Sequence, residues 1–225
     1  MDIINAKLKT HELQEMKRFY GQILGFPIEN ETSNSFLVTF GISSIEFNDQ
    51  DVEGEPYYHF AFDIPSNQFA EAKRWIKSKT ELLTEEGADE IDFKYSVAKS
   101  FYFEDPSGNI LEFIARLKDN PPSDRPFSSA SIQKISEMSL VVQDKLPVAY
   151  NLSDYHIVSR DDSEITSDSL AFMSDKKTKV YLLLASPNRK WLFSEKVSKV
   201  FPIDITLDSG VVLGVNNGGQ FYIQG

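Results

Sequence analysis

Phe103-Glu104-Asp105-Pro106-Ser107-Gly108-Asn109-Ile110-Leu111-Glu112-Phe113 places two apolar, aromatic-rich segments around Asp-Pro-Ser-Gly. That tetrapeptide suits a type I turn, with Pro106 at its second position and Gly108 at its fourth. Strands are therefore expected near 100–104 and 109–116. Upstream, Tyr58, Phe60, Phe62 and Ile64 alternate with Tyr57, His59, Ala61 and Asp63, which is the period of a strand. Ser66 or Asn67 can cap a helix carrying Phe69, Ala72, Trp75 and Ile76, and a further strand is expected near 92–97. The order is β-α-β-β-β.

The same order precedes it. Ile4, Ala6 and Leu8 alternate with Asn5, Lys7 and Lys9. Leu13, Met16, Phe19, Tyr20, Ile23 and Leu24 then fall at helical spacing up to Gly25, and short strands are expected around 28–32, 35–40 and 43–48. The copies align: Met16-Lys17-Arg18-Phe19 with Ala72-Lys73-Arg74-Trp75, and Ser44-Ile45-Glu46-Phe47 with Ile110-Leu111-Glu112-Phe113. The Pro/Ser-rich stretch 119–131 reads as a linker. Beyond it a degenerate third copy is expected over 132–225. It has a strand from Ile135, a short helix at 146–152, an apolar run from Val180 to Leu184, and a terminal hairpin around Asn216-Asn217-Gly218-Gly219. The expected class is α+β: paired βαβββ modules over 1–118 forming a curved mixed-sheet cleft, followed by the linker and the third module.

Composition narrows the function. The chain has 225 residues, 41% hydrophobic and 25% charged, with 34 acidic against 23 basic side chains and a net charge of −11. Such a surface repels a phosphate backbone, so no nucleic-acid partner is expected. Without cysteine there is no thiol nucleophile and no Cys-ligated metal. No basic-then-apolar leader opens the chain and no apolar run reaches the roughly 18 residues of a membrane span. A cytoplasmic protein with no membrane partner is the expectation.

If the first and last strands of each copy line one concave face, Asn5 and His59 occupy matching first-strand positions, and Glu46 and Glu112 matching last-strand positions. One imidazole, two carboxylates and an amide oxygen suit Zn²⁺, Ni²⁺, Co²⁺ or Mn²⁺. Tyr57 and Tyr102 share that register and can wall a pocket. His11, at the helix start, and His156, in a polar stretch, read as surface residues. In the third copy Glu137 and Tyr181 fall at the first- and last-strand positions without a histidine, so no metal set is expected there.

The chain resembles the vicinal-oxygen-chelate superfamily, which includes glyoxalase I, bleomycin-resistance proteins, fosfomycin-resistance enzymes and extradiol dioxygenases. The resemblance rests on Met16-Lys17-Arg18-Phe19-Tyr20 with Leu24-Gly25-Phe26, on His59-Phe60-Ala61-Phe62, and on Phe103 to Phe113. It implies metal ligands at His59, Glu112 and Glu46. Asn5 stands where the family usually has His or Gln, which counts against an extradiol dioxygenase. The implied function is a divalent-metal-dependent lyase or isomerase acting on a small oxygen-chelating metabolite. Glu46 or Glu112 would move the proton. The alternative is a metal-free small-molecule binding protein of the bleomycin-resistance type, in which the acidic balance would favour cationic ligands. The third module is expected either to pack against the first two or to pair with its counterpart in a second chain as a homodimer, because its apolar run from Val180 to Leu184 reads as exposed.

Overall fold

Alternating apolar and polar residues become strands along almost the whole chain, and the computed structural model describes residues 1–162, 164–166 and 168–225. The first copy comprises β1 (Ile3–Lys9), α1 (Leu13–Lys17), β2 (Ile28–Glu29), β3 (Ser35–Phe40) and β4 (Ser43–Asn48). The α1 helix continues as a π-helical segment over Arg18–Ile23, and Gly25 (φ 73°) closes it. The second copy comprises β5 (His59–Asp63), α2 (Phe69–Lys77), β6 (Ile91–Phe93), β7 (Ala98–Glu104) and β8 (Ile110–Arg116). The residue capping α2 is Gln68, with no side-chain cap, rather than Ser66 or Asn67. The third has β9 (Lys134–Val141), α3 (Lys145–Ser153), β10 (Val158–Ser159), β11 (Ala171–Ser174) and β12 (Tyr181–Ala185). Asp144 caps α3 by accepting from the Leu146 amide at 3.1 Å. A helix-less remainder follows: β13 (Ile203–Leu207), β14 (Val212–Val215) and β15 (Phe221–Gln224).

The strands form two mixed sheets, ordered β15-β14-β13-β1-β4-β3-β2 and β10-β11-β12-β9-β5-β8-β7-β6. This differs from the expected pairing of copies one and two. The first copy shares its sheet with the terminal strands, through β1 against β13. The second shares its sheet with the third, through β5 antiparallel to β9. The terminal segment thus contains an unanticipated strand, although Ile203, Ile205 and Leu207 alternate with Asp204 and Thr206 as a strand should. Apolar faces of both sheets and of the helices share one core, including Phe36, Phe40, Phe47, Phe62, Phe101 and Phe113. Gly41 marks where the sheets close up: a Cβ there would lie 1.9 Å from the Gln133 carbonyl oxygen.

Two further expectations change. Residues 119–131 are strapped down: Asn120 is buried and donates to the Ile64 carbonyl at 2.8 Å, and Ser129 Oγ donates to the Gly25 carbonyl at 2.8 Å. The run from Val180 to Leu184 is interior, because β12 lies between β9 and β11. The surface that prompted a homodimer is therefore used inside the chain. No helix among the described residues is long and apolar enough to cross a membrane.

Candidate functional site

The turn from Asp105 to Gly108 anchors the site. Asp105 Oδ1 accepts from the backbone amides of Ser107 and Asn109, both at 3.0 Å. Its Oδ2 accepts from Asn109 Nδ2 and from the Tyr20 hydroxyl, both at 2.8 Å. Gly108 takes the positive φ (74°) that the turn needs. Asn109 Oδ1 in turn accepts from the Tyr58 amide at 2.8 Å, so the turn fixes the residue that precedes His59. Ile110, just after the turn, places its carbonyl oxygen 3.0 Å from His59 Nδ1.

That last contact decides the imidazole's tautomer. A carbonyl only accepts, so Nδ1 carries the proton and Nε2 presents a lone pair. Burial lowers the His59 pKa, which keeps the ring neutral. Yet Nε2 lies 3.5 Å from Glu112 Oε2, with both side chains buried. Two lone pairs facing each other out of water require a proton or a metal cation near them. Glu137, from β9, completes the group: ligand atoms of His59, Glu112 and Glu137 all lie within 4.8 Å of one another. The Glu112 pKa is raised, first by burial and then by the Glu137 charge. The donor set, one neutral imidazole and two carboxylates, suits a borderline divalent ion.

Charge beneath the cluster is partly compensated. Arg116 Nη2 donates to Glu137 Oε1 at 2.6 Å, and its Nε lies 3.3 Å from Asp63 Oδ1. Burial acts to lower the Arg116 pKa, but Glu137 and Asp63 outweigh it and raise it. Three buried carboxylates, those of Asp63, Glu112 and Glu137, thus face one buried guanidinium. Above them opens a pocket of about 940 Å³, lined among others by His59, Glu112, Glu137, Arg160, Arg189 and Trp191.

Residues 5–113 match the family profile of the glyoxalase/bleomycin resistance protein/dioxygenase superfamily, and residues 135–189 that of the toxoflavin-degrading enzyme. Across the whole chain the fold is that of a variant glyoxalase I from Zea mays. The TM-score is 0.58 at 12% identity, covering 99% of this chain and 91% of that one. A candidate dioxygenase from Bacillus subtilis has a TM-score of 0.60 at 13% identity, covering 99% of this chain and 84% of that one. Residues 5–113, just under half of the chain, thus carry the glyoxalase/bleomycin resistance protein/dioxygenase superfamily signature, and the whole chain shares the fold of these two proteins. No curated protein sequence matches it.

Within this superfamily fold, the expected quartet divides between the two sheets. His59 and Glu112 converge as described. Asn5 and Glu46 lie in the other sheet, where Asn5 Nδ2 donates to Ser44 Oγ at 2.9 Å and Glu46 pairs with Lys7 at 3.4 Å. The physical reason is strand order: β9, not β1, lies beside β5. Glu137, at the first-strand position of its copy, therefore takes the place expected for Asn5, and the third copy, expected to carry no metal set, supplies the third member of the group. Tyr181, in register with Glu137, brings a ring flanked by the Arg116 and Arg160 guanidiniums instead of another ligand. Tyr102 lines the pocket and stacks on Phe193 at 4.8 Å, whereas Tyr57 turns away and donates to the Val197 carbonyl at 2.5 Å. His11 and His156 are exposed, as expected. Sequence reasoning missed Arg116, Arg189 and Trp191. Trp191 and Arg189 lie on the irregular β12–β13 connection, where no periodicity signals a facing direction.

Proposed function

We propose that this chain is a divalent-metal-dependent lyase or isomerase acting on a small oxygen-chelating metabolite, with His59, Glu112 and Glu137 holding the ion. The observation that carries this reading is the meeting of His59 Nε2 with two buried carboxylates at the base of a pocket large enough for a small molecule. When bound, the ion supplies Lewis-acid polarisation of neighbouring substrate oxygens.

The chain's own residues divide the remaining work. Glu137 is paired to Arg116, a cation that does not give up its proton. Among the described residues Glu112 has no Lys or Arg within ion-pair distance, and its environment favours the protonated form. Once its own proton has been displaced, as ion binding at the cluster would do, Glu112 retains a high proton affinity and is the carboxylate suited to take a proton from a carbon beside the chelating oxygens and return it to the adjacent carbon. His59, held through Nδ1 by Ile110, keeps its orientation during that transfer. The buried Trp191 and Tyr102 wall this end of the pocket against water.

A metal-free binding protein is the second reading. It is favoured by the 2.6 Å Arg116–Glu137 pair, which already gives one carboxylate a cation. The deciding experiment is metal analysis of untagged protein purified without chelator, beside His59→Ala and Glu137→Gln. Near-stoichiometric Zn, Ni, Co or Mn that is lost in both variants supports the enzyme and justifies screening hemithioacetals and related chelating substrates. Absence of metal after incubation with each of these ions retires it in favour of ligand binding.

A further inference from the structure

The chain carries a net charge of −11, but the wall of its pocket is not acidic throughout. Lys94 is paired with Asp92, Arg160 with Asp161 and Arg116 with Glu137. Arg189 lines the same pocket and, like the exposed Lys118 and Lys179, has no carboxylate within ion-pair distance among the described residues. It is half-buried, and desolvation lowers its pKa with nothing opposing the shift. A guanidinium taken partly out of water without an anion is unfavourable until an anion reaches it.

Arg189 is also held in place. Its amide donates to Ser198 Oγ at 2.9 Å, its carbonyl accepts from the Ser198 amide at 2.7 Å, and its Nη1 donates to the Lys190 carbonyl at 3.0 Å. The guanidinium carbon lies 5.6 Å from the Trp191 ring centroid, and that ring lies 5.1 Å from the His59 imidazole. A fixed cation, a flat apolar surface and the His59 cluster thus follow one another along one wall. On another wall Arg160 lies 4.3 Å from the Phe172 ring centroid.

We propose that the pocket selects small substrates bearing a carboxylate or phosphate group, which Arg189 receives while an apolar part of the molecule lies against Trp191 and the opposite end reaches Glu112 and Glu137. Arg189 acts as a specificity residue: it pairs with the substrate's anion and takes no part in proton transfer. The inference rests on the functional reading above only for which end of the substrate reacts. It also reverses the expectation that an acidic chain takes cationic ligands, because the wall beside Trp191 presents a half-buried guanidinium with no carboxylate paired to it.

The test is calorimetric titration of the full chain with benzoate, phenyl phosphate and the neutral benzyl alcohol, once after chelator treatment and once after loading with Zn²⁺. At low salt, at least one anion should bind about tenfold or more tightly than benzyl alcohol, and added salt should shrink the difference. The stronger anion identifies the group as carboxylate or phosphate. Arg189→Gln should reduce that anion to the level of benzyl alcohol while leaving benzyl alcohol binding and the thermal midpoint unchanged. Should Arg189→Gln lower the midpoint, Arg189→Lys supplies the test, with weakened anion binding beside unchanged benzyl alcohol binding. Equal affinities for charged and neutral probes, no anion binding at millimolar concentration, or an anion preference that survives loss of the Arg189 guanidinium would each overturn the proposal. Anion preference in a protein that takes up no metal sinks the lyase reading alone. Full metal occupancy without anion preference sinks this inference alone.

Discussion

Glu112 and Glu137 are register partners of the same residue: Ala61 faces Glu112 across the parallel β5–β8 ladder and Glu137 across the antiparallel β5–β9 ladder. Partners in register project to one face of a sheet, so both carboxylates rise beside a single methyl group. The other sheet repeats the arrangement with one difference. There Lys7 is the shared partner, of Glu46 and Asp204, and its ammonium lies 3.4 Å from Glu46. One sheet fills this position with a built-in cation, and the other leaves it free for one.

Ala61→Lys should therefore convert the site into its counterpart. With the ammonium between Glu112 and Glu137, metal content of the purified variant is expected to fall to background, while circular dichroism keeps the wild-type strand signature. Undiminished metal would show that an ion, where bound, sits elsewhere.

Arg116 is the buried counter-charge for Asp63 and Glu137. Arg116→Met leaves two buried carboxylates without it and should cost about 3–5 kcal/mol in urea unfolding. A loss below about 1 kcal/mol would mean that water reaches these groups.

The pH dependence of Glu112 has a definite sign. Its folded-state pKa is raised above the ordinary value of 4.5, first by burial and next by Glu137. The group's contribution to stability is complete below 4.5 and is lost as pH rises toward the raised folded value. Glu112→Gln imitates the protonated form. In chelator-treated protein its stability relative to wild type should be near neutral at low pH and increasingly favourable as pH rises. A pH-independent difference between the two unfolding curves would contradict this.

Asn109 links the turn to the site, accepting from the Tyr58 amide and donating to Asp105. Asn109→Ala leaves both buried partners short of a hydrogen bond and should destabilise by about 2–3 kcal/mol. If His59 depends on this support, metal affinity should fall by roughly ten- to a hundredfold, as for other outer-shell supports. A stability loss with unchanged metal affinity would confine Asn109 to a structural role.

The repeats, the turn at Asp105 to Gly108 and the positions of His59 and Glu112 were legible in the sequence because each is local. Alternation sets which side chains share a face, a helical period marks α1 and α2, and the turn chemistry needs only neighbouring residues. Strand β13 carried the same signal in Ile203, Ile205 and Leu207 and was passed over because the remainder lacks a helix to announce a module. What the sequence could not give was the order of strands from different copies. Each copy presents a similar apolar face and similar edges, so pairing β5 with β9 or with β1 satisfies local patterning equally well. The choice is made by long-range packing of the two sheets on one core. That choice moves Asn5 and Glu46 out of the cluster and brings Glu137 into it, within reach of Arg116 on β8. It also lays the β12–β13 connection, with Arg189 and Trp191, over His59. The sequence by itself determined which residue types were available at each strand position. Only the tertiary structure decided which of them meet, because a sheet brings its ligands together through neighbours distant along the chain.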